Sequence, residues 1–259
     1  MLSGAIIGDI IGSRFEKDNH LSTEFPLFVP ACRFTDDTVL TLAIAQAILT
    51  DGDYEKWVRK FALRYPLAGF GGTFKKWMLG LKKGPYNSWG NGSAMRVSPI
   101  GWAFDSIETV QEEASRSAAI THNHPEGIKG AQAIASGIFW ARKGADKQRI
   151  QDQISTHFGY DLSQSLDEIR PNYRFDVSCQ GSVPQAIIAF LESHDVESAI
   201  RLAISIGGDS DTIASMSAAL AEAYYGYIQE SMLTRMKTML PGHLLETWHN
   251  FNTFFTQAE

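Results

Sequence analysis

The chain has 259 residues, with 29 acidic against 23 basic side chains and a formal net charge of −6. Hydrophobic residues make up 44% and charged residues 20%, which excludes a disordered or collagen-like chain. The acidic total and a pI near 5.7 argue against broad nucleic-acid binding, which shows a basic surplus.

The first apolar stretch, Ala5 to Ile11, is cut by Asp9, and no Lys or Arg precedes it. It therefore lacks the form of a secretory signal. No window approaches the roughly 20 apolar residues of a membrane span, so no membrane partner and a cytoplasmic setting are expected. Glycines at 4, 8 and 12 share one helical face, where a second backbone can approach closely. Val39 to Leu49 reads as a helix. Gly69–Gly72 and Gly80–Gly92 read as glycine-rich loops. Gln111 to Ile120 and Glu126 to Arg142 read as helices, and Asp161–Asn172 as a polar connection carrying Pro171. Tyr173 to Val177 is the one segment that suggests a strand, and it is short. Val183 to Leu191, Val196 to Ile206 and Ile213 to Tyr225 complete the predicted helices. This pattern predicts one compact, mainly α domain over residues 1–259. Cys32 and Cys179 fit neither a metal nor a redox spacing, so no disulfide framework is implied.

Two predicted helices open alike: Thr35-Asp36-Asp37-Thr38 and Asp209-Ser210-Asp211-Thr212. Capping explains any one acidic helix start, because side-chain oxygens accept unpaired backbone N–H groups there. One cap needs one oxygen, however, and each start supplies several. Crowded carboxylates on buried helices are costly unless neutralised, and a hard divalent cation does this with oxygen ligands alone. Asp36 and Asp37 point about 100° apart on a helix and could serve two ions. Two such clusters fit a dinuclear site.

Three further segments carry polar chemistry. Glu16 follows the glycine-spaced helix, either as a surface residue or as part of a site. Asn87 to Arg96 (NSWGNGSAMR) leads into a predicted helix near Ser93 and reads either as a flexible turn or as a loop whose free N–H groups meet an anion. In Thr121-His122-Asn123-His124-Pro125, two histidines without a third nitrogen or sulfur ligand fit capping or substrate contact better than a metal. No Ser-His-Asp or Cys-His arrangement supports covalent catalysis.

In this order, the segments GAIIGDIIGSRFE, FTDDT, GNGSAMRVSPIG, THNHPEG, GSVPQAIIAFL and SIGGDSDTIASMSAALAEAYYG resemble the ADP-ribosylglycohydrolase family. The resemblance covers about residues 4–226. It implies a compact all-α, orthogonal helical bundle with two Mg²⁺ or Mn²⁺ ions at a cleft floor. Thr35, Asp36 and Asp37 would be ligands on one side, and Asp209, Asp211 and Thr212 on the other, with Asp211 bridging. Glu16 matches the family's mobile acid/base carboxylate, with Asp36 and Asp211 completing the catalytic set. Ser88, Trp89, Gly90 and Asn91 match the phosphate- and ribose-holding loop, and His122 a substrate-contacting residue.

The implied reaction is hydrolysis of the bond between the ADP-ribose anomeric carbon and an acceptor. The implied partner is ADP-ribose or an ADP-ribosylated substrate, expected to be a protein, and the expected state is a monomer. A hydrolase of free nucleosides or nucleotides, and a non-catalytic ADP-ribose-binding or crystallin-like protein, are the alternatives. Asn87 stands where many relatives carry Gly, so its loop is expected to approach phosphate differently. Asn123 and Glu126 make the His segment more polar than usual. Asp161–Asn172 has no match and is expected to shape the acceptor side of the cleft.

Overall fold

The computed structural model describes residues 1–256. Among these residues there are fourteen α-helices and no strand. The first four are α1 (Ser3–Gly12), α2 (Asp36–Ile48), α3 (Tyr54–Arg64) and α4 (Gly72–Met78). A 3₁₀ turn at Asn91–Ser93 precedes α5 (Ser98–Ala103), α6 (Ile107–Ala119) and α7 (Pro125–Arg142). Then come α8 (Lys147–Phe158), α9 (Leu166–Ile169), α10 (Cys179–Glu192) and α11 (Val196–Ile204). The series closes with α12 (Ser210–Tyr225), α13 (Glu230–Met239) and α14 (Gly242–Thr256).

The all-α expectation holds, and each predicted helix except the one near Ser93 lies within or across an observed α-helix. Tyr173 to Val177 is not a strand: the one isolated antiparallel bridge nearby joins Gly90 to Ser178, just past the segment. A lone segment with no neighbouring strand cannot build a ladder. Asp161–Asn172 is more ordered than a plain connection. Its Ser165 side chain accepts from the Glu168 N–H while Glu168 bonds back to Ser165, a reciprocal cap that starts α9. Leu162, Leu166 and Ile169 bury that segment on the core.

The centre of the fold is the contact between α1 and α12. All ten residues of α1 are buried, and α12 is buried over Ser210–Ala223. Helices apolar around their whole circumference belong inside a molecule. The approach of these two is set by the glycine face of α1. A Cβ on Gly8 would sit 2.3 Å from the Ala214 carbonyl oxygen, and one on Gly12 would sit 2.5 Å from the Asp211 Cα. Backbones this close put Asp9 and Asp211 side by side. Around this pair, α11, α10 and α7 pack on α12, while α2 is flanked by α3, α5 and α14. No helix among the described residues is long and apolar enough to cross a membrane.

Candidate active site

The two acidic helix starts, 175 residues apart in sequence, meet: the Thr212 hydroxyl of α12 donates to Asp37 Oδ2 of α2 at 3.3 Å. They form one end of a cleft of about 410 Å³, whose walls include Glu16, Asp36, Asp37, Asp209, Asp211 and Thr212. Thr35 is buried just behind them. Gly69, at φ +122°, lets Asp36 into this wall, because a Cβ there would lie 2.6 Å from Asp36 Oδ1.

Asp9, which sequence reasoning left out of the site, explains why the α2 carboxylates are free. Fully buried on α1, it accepts from the Thr35 N–H at 2.9 Å, the Thr35 hydroxyl at 2.6 Å, the Thr38 N–H at 3.1 Å and the Thr38 hydroxyl. Thr35 also accepts from the Asp37 N–H at 3.3 Å. Asp9 and Thr35 therefore cap α2 between them, so Asp36 and Asp37 are not needed as caps. At α12, the Asp209 side chain makes no cap bond either. It accepts from the Asn91 amide at 2.7 Å.

Burial is the main electrostatic fact of this wall. It pushes Asp37 well above the usual carboxylate range, with the Asp211 charge adding to the effect. It does the same to Asp211, reinforced by Asp209. Asp36 is pushed up to about 7 by burial and then by Asp9. No Lys or Arg among the described residues pairs with any of the six carboxyl groups.

Asp9, Asp37 and Asp211 each offer an oxygen within 4.8 Å of the other two, and Asp37 Oδ1 is buried without any hydrogen-bond partner. Oxygen donors of this charge and crowding, one of them orphaned, fit a hard divalent cation. Asp37 and Asp211 are the better donors of the three, because four hydrogen bonds already occupy Asp9.

The opposite wall comes from the Asn87–Arg96 loop and His122, just before α7. Ser88, Gly90, Asn91 and His122 line the cleft; Trp89 is 49% exposed and lies outside the lining. The helix foreseen near Ser93 is only the 3₁₀ turn Asn91–Ser93, with α5 beginning at Ser98. Asn87 adopts the left-handed conformation, φ 54°, which Asn tolerates better than most residues. Its N–H donates to Asn123 Oδ1 at 2.7 Å, which ties the loop to the His segment.

Of the two histidines, His124 caps α7, accepting from the Glu126 N–H at 3.1 Å, and His122 is buried against the cleft. Burial and the Arg96 charge hold His122 well below its usual pKa. Arg96, Tyr86, Phe175 and Val177 also line the cleft and were not singled out from sequence. Arg96 lay inside a quoted motif, whereas the other three carried no local signal. No residue of 161–172 lines the cleft; the wall is made just beyond, by Phe175 and Val177.

A solved structure described as an ADP-ribosylglycohydrolase-related protein complex superposes with a TM-score of 0.64 over 96% of each chain at 23% identity, a match of fold. Among curated proteins, ADP-ribosylhydrolase ARH3 of Mus musculus is 27% identical over 88% of this chain and 83% of its own length. The Homo sapiens ARH3 is 28% identical, covering 88% and 85%. ADP-ribosylarginine hydrolase Tri1 of Pseudomonas putida is 25% identical over 87% of this chain and 69% of its own length. The family model for ADP-ribosylglycohydrolase spans residues 1–251, taking in both acidic helix starts, the glycine loop and His122. The chain belongs to the ADP-ribosylglycohydrolase family.

Proposed function

We propose that the cleft hydrolyses the glycosidic bond between the anomeric carbon of ADP-ribose and its acceptor on an ADP-ribosylated protein. The observation that carries this reading is the convergence of two acidic helix starts on one cleft, with the buried Asp37 Oδ1 left unpartnered. Two Mg²⁺ or Mn²⁺ ions would be held by Thr35, Asp36 and Asp37 on one side and Asp209, Asp211 and Thr212 on the other. When bound, such ions polarise and orient ribose hydroxyls and water.

The chain's own groups do the rest. Asn91 fixes Asp209 through its amide. Asp36 and Asp211 place negative charge where positive charge builds at the anomeric carbon. Glu16, at the cleft wall, protonates the leaving atom or takes a proton from water. Ser88 and the Gly90–Gly92 backbone receive the pyrophosphate, and His122 contacts the substrate beside them. Relatives named for ADP-ribose and ADP-ribosylarginine hydrolysis support a modified side chain as the acceptor. We take the working form as a cytoplasmic monomer.

The test is release of free ADP-ribose from a panel of modified substrates with Mg²⁺ or Mn²⁺. Asp36→Asn and Asp209→Asn are expected to lower it by ~100-fold or more. Undiminished release in EDTA and in both variants would overturn the metal mechanism. Turnover confined to free nucleotides would move the activity to that class, and calorimetric binding without turnover would mark a non-catalytic protein.

A further inference from the structure

Arg96 lies at the cleft with its side chain fully buried and no carboxylate beside it. Its Nη2 donates to the Ser117 carbonyl at 2.9 Å and to Thr121 Oγ1 at 3.0 Å. Its Nε and Nη1 have no partner, a costly state for a group serving packing alone. A guanidinium only donates, so Thr121 Oγ1 accepts from it and keeps a single proton to give. Thr121 Oγ1 lies 2.7 Å from His122 Nδ1, and the Tyr86 phenol is the other group within its reach. Tyr86 faces the same region with its ring 6.0 Å from the imidazole, and burial keeps its phenol protonated. With the Thr121 proton given to His122 Nδ1 along that 2.7 Å contact, the imidazole's own hydrogen is on Nε2.

We propose that Arg96 and Thr121 are positioning residues that set His122 as the Nε2–H tautomer. The cleft is thereby given a fixed N–H donor for a phosphate oxygen of the substrate. The direction of the donor supports this: a Cβ on Gly92 would stand 3.2 Å from His122 Nε2, and one on Gly90 3.6 Å from it. The Nε2 edge thus faces the glycine loop, on the side of the cleft proposed above to take the phosphates. A neutral imidazole with its proton on Nε2 adds a donor there without needing a cation buried against Arg96. The substrate contact rests on the reading given under Proposed function; the tautomer does not.

The experiment is ¹⁵N NMR of the imidazole nitrogens in the full chain at pH 7.5, with the His122 signals assigned by their loss in His122→Gln. The wild type is expected to show a protonated Nε2 and an unprotonated Nδ1. Thr121→Val, which keeps the shape and removes the hydroxyl, is expected to lose that preference and to lower kcat/KM about tenfold, chiefly through KM. Thr121→Ser is expected to restore both within about twofold. Arg96→Gln supplies a second variant, expected to weaken the preference in the same direction. A protonated Nδ1 in the wild type, or an unchanged Nε2–H signal with unchanged kcat/KM in Thr121→Val, would overturn the proposal. If the expected tautomer is found but no ADP-ribosyl bond is cleaved, the proposed function fails and the positioning of His122 stands.

Discussion

At the scale of single residues, the site was legible wherever the residue type was improbable in its surroundings. Surplus carboxylates at two helix starts pointed to one place, and α2 and α12 do bring Asp36, Asp37, Asp209 and Asp211 together. Asp9 was visible only as a break in an apolar run, because its partners Thr35 and Thr38 lie 26 and 29 residues away. Only the fold shows that it caps another helix. The same crowding predicts a pH dependence for the metal-free protein. Asp36 is pushed up to about 7 by burial and then by its acidic neighbours, against 3.8 unfolded. The folded chain therefore holds a proton that the unfolded chain has released, and stability is lost as pH rises through that window. In EDTA, the wild type should lose thermal stability between pH 5 and 7.5 relative to Asp36→Asn, which has no proton to release. Parallel curves for the two proteins would show that Asp36 ionises in the fold as it does in the unfolded chain.

At the scale of elements, the apolar and Ala-rich helices announced themselves, as did the amphipathic α6 and α11, whereas α3 and α8 did not. Within α3, only Tyr54, Val58, Phe61 and Ala62 are buried, and within α8 only Ile150, Ile154 and Phe158. So few core positions amid charged ones leave a weak periodic signal, and packing against the core decides them instead. Glycine spacing in α1 was the clearer message, since it named a close helix contact before the partner was known. That contact now has a measurable cost. Gly8→Ala puts a methyl group 2.3 Å from the Ala214 carbonyl oxygen, a backbone atom that cannot swing aside. A loss of about 2–4 kcal/mol in denaturant unfolding is expected, because α1 and α12 are forced apart. Gly242→Ala, with nothing within 4 Å of its new Cβ at the start of α14, is expected to change stability by less than about 1 kcal/mol. Equal effects at the two sites would mean that α1 and α12 are not in the contact described.

At the scale of the whole molecule, the net charge is a property of the cleft. Asp9, Glu16, Asp36, Asp37, Asp209 and Asp211 are six acidic residues; without them 23 remain, equal to the 23 Lys and Arg. The rest of the chain is balanced, and the surplus sits where two divalent ions, with four positive charges, would offset most of it. On the function proposed above, an acidic protein could in this way bind a nucleotide, with bound cations supplying the positive field that its surface lacks. A diffuse surface charge and a concentrated buried one respond differently to ions. Exposed charges are screened by any salt, whereas buried carboxylates need a cation that enters among them. Millimolar Mg²⁺ or Mn²⁺ added to EDTA-treated protein should therefore raise the melting temperature by several degrees, at about 2–4 °C per kcal/mol for a chain of this size. NaCl at matched ionic strength should raise it far less. Asp37→Asn and Asp211→Asn should each start from a higher metal-free melting temperature, because one buried charge is gone, and should show little further rise with the divalent ion. An equal response to both salts would place the charge surplus on the surface, and a full divalent response in both variants would remove Asp37 and Asp211 from the cation site.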